Sequence, residues 1–165
     1  WSRYQAIQPS RYEVVTPGFK YNMTALQAEI GLHQLAAIDR HQARRRAITA
    51  FYDDVCARLP VSRFVPVPAG TIHAHHLYPI LIEDPSGPSR DDVALALSKA
   101  GVASSVHFPA VHLHRFYRER FGFEPGQFPA AEHIADTVLS LPLSPAHTDA
   151  QIEQVATALA EVFGA

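Results

Sequence analysis

The chain has 165 residues, of which 47% are hydrophobic and 18% are charged, and its formal net charge is -2. This length supports one compact domain with a core, and the near-neutral charge gives no electrostatic reason to expect a nucleic acid or a membrane surface as partner. A single cysteine excludes an internal disulfide and favours a reducing compartment, and no apolar run reaches the roughly 18 residues of a membrane span. We therefore expect a cytoplasmic protein.

The N-terminal segment leads into a turn and a capped helix. Residues 1–16 show neither helical nor strand periodicity, and the Pro17-Gly18 pair that follows forces a change of direction. Thr24 and Gln27 form a capping box, which predicts a helix start. The chain then has no proline until residue 60, so one long helix over 24–59 is expected, with a break near Asp39 as the alternative.

The remainder, residues 60–165, alternates short strands and helices. Strands are predicted at 63–68, at 76–82 and, more weakly, at 102–108. Helices are predicted from the cap Ser89 to Gly101, at 115–121, at about 130–140, and after the cap Thr148. The segment 139–145 is expected to cross the core. Two or three strands packed under several helices predict an α+β fold.

Several motifs, in this order, resemble the DegT/DnrJ-type sugar aminotransferases, which are pyridoxal phosphate (PLP) enzymes of the aspartate-aminotransferase fold type. They are GFKYNMT at 18–24, QA at 27–28, GLHQL at 31–35, HHLY at 75–78, GV at 101–102, FPAVHL at 108–113, and SLPLSP at 140–145. Within the family, the Lys-Tyr-Asn wording is most similar to the aminotransferase that makes aminoarabinose for lipid A modification. The resemblance covers residues 12–165 here, but only the C-terminal half of the family's chain.

The resemblance implies an architecture and partners. Residues 1–23 would be a remnant of a missing large PLP domain, residues 24–59 a connector helix, and residues 60–165 a small C-terminal domain with a short, mostly antiparallel sheet covered by helices. The whole enzyme would be a homodimer that moves an amino group from glutamate to a nucleotide-linked keto-sugar.

The resemblance also implies roles for individual residues. Asn22 would donate a hydrogen bond to the PLP phosphate of the neighbouring subunit, and Lys20 and Tyr21 would line the same pocket. His107, His112 and Tyr117 would lie on the substrate side. Taken without the resemblance, Asn22 is a residue that ends a turn, and the two histidines are hydrogen-bonded loop residues.

The lysines of this chain do not match the family's catalytic position. The chain has only Lys20, inside the turn motif, and Lys99, at the end of a predicted surface helix. The Schiff-base lysine of a PLP enzyme is therefore not supplied here, and we expect no catalytic residue in this chain and no transamination or PLP retention by it alone.

Two other readings stay open. The long connector and its apolar residues are compatible with a non-catalytic dimerisation or interaction module. The ten histidines, with the pairs His73-x-His75 and His112-x-His114, allow a metal site, although no carboxylate or cysteine accompanies either pair at ligand spacing. Cys56 falls among apolar residues and is interpreted as a buried small residue rather than a nucleophile.

Overall fold

The computed structural model describes residues 16–64 and 67–164. Within them lie six helices, namely α1 (Ala25–Ala36), α2 (Ile38–Cys56), α3 (Arg90–Lys99), α4 (Arg115–Phe121), α5 (Pro129–Thr137) and α6 (Asp149–Phe163). Three strands accompany them, namely β1 (Ser62–Arg63), β2 (Tyr78–Leu81) and β3 (Val138–Leu141). This is the predicted α+β class, with a small antiparallel sheet and helices around it.

The chain divides into two compact units, Trp1–Ala37 and Ile38–Ala165. In the first, Thr24 caps α1 through the predicted capping box with Gln27. None of the residues of α1 is buried, although the helix carries Leu26, Ile30, Leu32 and Leu35. The single helix expected over 24–59 is wrong, and the alternative of a break near Asp39 is closer to the structure. Helix α1 ends at Ala36, where the N–H of Ala37 donates to the carbonyl of Gln34, and α2 is a separate helix from Ile38 to Cys56. The predicted division at 1–23, 24–59 and 60–165 stays a prediction.

The second unit has its core between α2, α3, α6 and the sheet. Helix α2 buries Ile48, Tyr52 and Cys56, which are four residues apart and therefore lie on one face. The same cluster contains Ile80 of β2 and Leu139 of β3, both without exposed surface. Cys56 is thus a buried core residue, as predicted from its apolar neighbours.

The sheet has the order β1-β2-β3 and both pairings are antiparallel. Pro79 of β2 lies opposite Ser140 of β3, although proline has no N–H to give to a sheet. The backbone of Ser140 bonds instead to Ser105 on its other side, with N–H···O distances of 2.8 and 3.2 Å. Pro79 is therefore tolerated in the middle strand.

Three predicted elements need correction. The strand expected at 102–108 is a single bridge at Ser105, because polar residues interrupt its apolar pattern there. The helix expected at 130–140 ends at Thr137, since Val138–Leu141 is buried on every side and forms β3. The edge strand expected at 63–68 is Ser62–Arg63, and part of its predicted length lies outside the described residues.

The other helices agree with the prediction. Ser89 caps α3 and Thr148 caps α6, each through a capping box. Helix α4 spans the predicted residues 115–121.

Candidate functional site

The turn before α1 carries the three residues predicted to bind cofactor. Lys20, Tyr21 and Asn22 are all exposed, and the Tyr21 ring stacks on Phe19 with 5.6 Å between ring centroids. Thr24 ends the turn by accepting a hydrogen bond from the N–H of Gln27 at 3.3 Å. The ammonium of Lys20 and the amide of Asn22 are donors that suit a phosphate oxygen. Their exposure leaves both accessible to a ligand.

The loop that carries His107 is fastened to the middle of the core by β3. Ser140 is buried, its backbone bonds to Ser105, and its hydroxyl lies 3.0 Å from Nδ1 of His107. The bond between His107 and Phe108 is cis, and the two rings meet edge to face at 4.9 Å. Phe108 is 67% exposed. The half-buried His107 ring is therefore held on one side by the sheet and covered on another by an exposed aromatic ring.

His112 lies in a 3-10 turn at Val111–Leu113 and its side chain is only 8% exposed. Its Nε2 is 2.9 Å from Oε1 of Glu132 in α5. An ionised carboxylate only accepts, so Nε2 carries the hydrogen. The ring packs against Phe128 at 4.7 Å and Phe123 at 6.3 Å between centroids. His112 is consequently an internal ring in this unit.

Glu132 connects three pieces of chain through one carboxylate. It accepts hydrogen bonds from the N–H of Gly126 at 2.8 and 2.9 Å, from the N–H of Phe128 at 3.2 Å, and from His112. These bonds, first the one from Gly126, then those from Phe128 and His112, favour the charged form and lower the pKa of Glu132. The glycine loop, the 3-10 turn and the start of α5 are thereby held together.

Helix α4 presents aromatic and basic side chains to solvent. Tyr117 is 37% exposed and stacks on Phe121, with centroids 6.2 Å apart. Phe116 is also exposed and meets Tyr117 edge to face. Arg115 pairs with Glu119 one turn later at 2.7 Å. Tyr117 is accessible, as a substrate-side residue must be.

The three predicted substrate-side residues lie in one stretch of the chain, 107–117, but in different settings. His107 is half-buried on Ser140, His112 is enclosed on Glu132, and Tyr117 faces solvent. Sequence reasoning missed Ser140 and Glu132. Glu132 follows Pro129 in the first turn of a helix, a pattern typical of a helix start, and nothing local indicates that it meets a histidine twenty residues earlier.

The residues present fit PLP only in part. Lys20 lies in an exposed turn, and Lys99 lies exposed in the last turn of α3. Both lysines are exposed, whereas a Schiff-base lysine needs an enclosed site that also holds a carboxylate beside the pyridine nitrogen. The donors of the turn suit the phosphate of PLP.

Metal-ligand clusters and helices able to span a membrane are both absent from the described part of the chain. No three histidine, cysteine or acidic side chains in it converge as metal ligands do, which includes the pairs at His73 and His112. No helix in these same residues combines the length and the apolarity that a membrane crossing requires.

The chain is similar to known proteins over almost its whole length. A spore coat polysaccharide biosynthesis protein, SpsC of Bacillus subtilis, is 36% identical over 98% of this chain. The structure of DesV from S. venezuelae has a TM-score of 0.79 and 31% identity over 96% of this chain. A Streptococcus pneumoniae protein in its PLP form has a TM-score of 0.81 and 28% identity over 93% of it.

The chain is shorter than these relatives. It spans 42% of SpsC, 41% of the DesV chain and 39% of the pneumococcal chain. The model of the DegT/DnrJ/EryC1/StrS aminotransferase family matches residues 2–160. The chain therefore belongs to the DegT/DnrJ/EryC1/StrS aminotransferase family.

Proposed function

We propose that this chain is the C-terminal portion of a PLP-dependent aminotransferase that transfers an amino group from glutamate to a nucleotide-linked keto-sugar. The observation that carries the proposal is the family match over residues 2–160, in a chain that spans about two fifths of its relatives. The Lys20-Tyr21-Asn22 sequence motif favours an aminoarabinose-type sugar as the substrate. The whole enzyme would be a cytoplasmic homodimer, with no nucleic acid or membrane partner.

The turn residues would serve the cofactor. Bound PLP supplies the electron sink that makes transamination feasible. The exposed amide of Asn22 would donate to a phosphate oxygen in the neighbouring subunit, with Lys20 and Tyr21 beside it. These three side chains would orient the phosphate and leave the covalent chemistry to a lysine outside this chain.

The loop residues would serve the substrate. His107, whose ring is held by Ser140, and the exposed Tyr117 would contact a polar ligand. His112 would act on the same side by holding the loop, since its Nε2 is engaged by Glu132. We infer that the isolated chain does not transaminate and does not retain PLP.

A second candidate function is a non-catalytic dimerisation or interaction module. The observation that favours it is helix α1, whose Leu26, Ile30, Leu32 and Leu35 are 55 to 71% exposed. These positions lie on more than one face of the helix, and exposed apolar surface commonly marks a protein interface. The two functions differ in whether a PLP-binding part accompanies this chain.

The test begins with the coding sequence upstream of Trp1 and expression of the whole protein. We expect a lysine-bearing PLP domain there, visible absorbance from bound PLP, and amino transfer from glutamate. Asn22→Ala should weaken PLP binding roughly tenfold or more, as expected for losing a hydrogen bond to a charged group, and Asn22→Asp should weaken it further by repulsion. A protein without a PLP-binding part, or unchanged PLP affinity in both variants, would contradict the proposal.

A further inference from the structure

A cavity of about 590 Å³ opens between helix α2, strand β1 and the segment that leads into β2. Its polar lining contains Thr49 and Asp53 from α2, Arg63 from β1, and the histidines of 73–76. Phe64, Leu77 and Pro79 contribute apolar surface. Small-molecule sites commonly have this size and this mixture of apolar walls with a few polar groups.

Asp53 organises the polar wall. One carboxylate oxygen, Oδ1, accepts from the hydroxyl of Tyr78 at 2.7 Å and from Nη1 of Arg63 at 2.8 Å. The charge of Asp53 is therefore balanced by Arg63, whose guanidinium has five N–H donors and gives one of them to this contact. Arg63 is held in place by Asp53 and still has donors for another acceptor.

Thr49 lines the same cavity one helical turn before Asp53. Its Oγ1 is buried away from solvent and has no hydrogen-bond partner, which is unfavourable and uncommon in folded proteins. A rotation of the Thr49 side chain would bring the hydroxyl to the cavity, where a ligand atom would supply the partner.

The histidine segment 73–76 adds further polar groups to the cavity lining. The N–H of His75 donates to Nδ1 of His73 at 3.2 Å, so a neutral His73 carries its hydrogen on Nε2. His75 has a left-handed backbone, with φ of 45°. Its pKa is lowered by burial and by the neighbouring His73 and Arg46, while Asp53 opposes the shift. An anion bound near His75 would raise the pKa of its ring and so favour the protonated form.

We propose that this cavity binds a small organic anion, with a carboxylate or phosphate head group on Arg63, Thr49 and His73 and a compact apolar body against Phe64 and Leu77. The charged side chains in and beside the cavity, Arg46, Arg63 and Asp53, leave a net positive site with neutral histidines. The cavity is larger than an inorganic ion, and its apolar lining suits the organic part of a ligand. The site shares no residue with the turn or the loop of the proposed aminotransferase, and it does not depend on that function.

The test is an amide NMR titration of the chain with benzoate and with phenyl phosphate, which carry the two head groups on the same ring. Benzyl alcohol is the uncharged control. We expect saturable shifts for at least one acid at residues around Thr49, Arg63 and Leu77. Binding of one acid alone identifies the preferred head group.

Variants separate the site from unspecific association. Arg63→Gln should weaken binding roughly tenfold or more, and Thr49→Val, which keeps the shape, roughly threefold. Arg63→Lys keeps the charge and should give an intermediate loss if Arg63→Gln disturbs the fold. Arg115→Gln, at an exposed arginine of α4, is the matched control and should change nothing. No saturation by either acid up to about 10 mM, equal binding of benzyl alcohol, or equal effects at Arg63 and Arg115 would overturn the proposal.

Discussion

Replacing His112 by alanine tests whether this ring is an internal support of the loop. The ring is 8% exposed, donates one hydrogen bond of 2.9 Å to a charged acceptor, and packs on Phe123 and Phe128. A hydrogen bond to a charged group contributes about 1.5–3 kcal/mol, and truncating a buried ring adds a packing loss. We expect His112→Ala to lower the free energy of unfolding by about 2–4 kcal/mol.

The assay is urea unfolding followed by circular dichroism, with the midpoint expected to fall and the slope to stay constant. Tyr117→Ala is the control, because Tyr117 is partly exposed and should cost under about 1 kcal/mol. His112→Gln offers an N–H at a similar reach and should recover part of the loss. A cost for His112→Ala no larger than that for Tyr117→Ala would refute the reasoning.

Three further predictions concern other positions. The pKa of Glu132 is lowered in the folded state, so its contribution to stability is present above the unfolded pKa of about 4.3 and is lost as pH falls through the folded pKa. Glu132→Gln should therefore reduce the loss of unfolding free energy between about pH 6 and about pH 3. An unchanged pH dependence in this range would contradict the prediction. Cys56 is 2% exposed and burial raises its pKa, so a thiol reagent should modify it only in denaturant; rapid labelling of the native chain would contradict this. Ile80→Ala should lower the free energy of unfolding in urea by about 3–4 kcal/mol, whereas Ile30→Ala, at a 55% exposed position, should lower it by under about 1 kcal/mol. Similar losses for the two variants would contradict the difference in burial between these side chains.

Local sequence motifs predicted where three helices start. The features that the sequence did not predict depend on contacts between residues far apart in the chain. Thr24, Ser89 and Thr148 each lie three residues before the glutamine or aspartate that completes a capping box, so all three starts could be read directly. A capping box involves only neighbours in the chain. A helix start predicted from a capping box therefore does not depend on long-range contacts.

Strand β3 was missed because its identity depends on its partner. Val138–Leu141 follows a helical pattern without a turn residue, and only pairing with β2 makes it a strand. The same applies to the site. Ser140 meets His107 across 33 residues, and Glu132 meets His112 across 20, and neither spacing has a local signature.

Helix α1 has a consequence for amide hydrogen exchange. It has 12 residues, a good N-terminal cap and no buried side chain, and helices of this length are marginal in water without tertiary packing. Its backbone amides should therefore exchange with solvent deuterium far sooner than those of α6, which has four buried residues. A fall in that exchange rate on adding another protein would report the moment at which α1 acquires a covering surface.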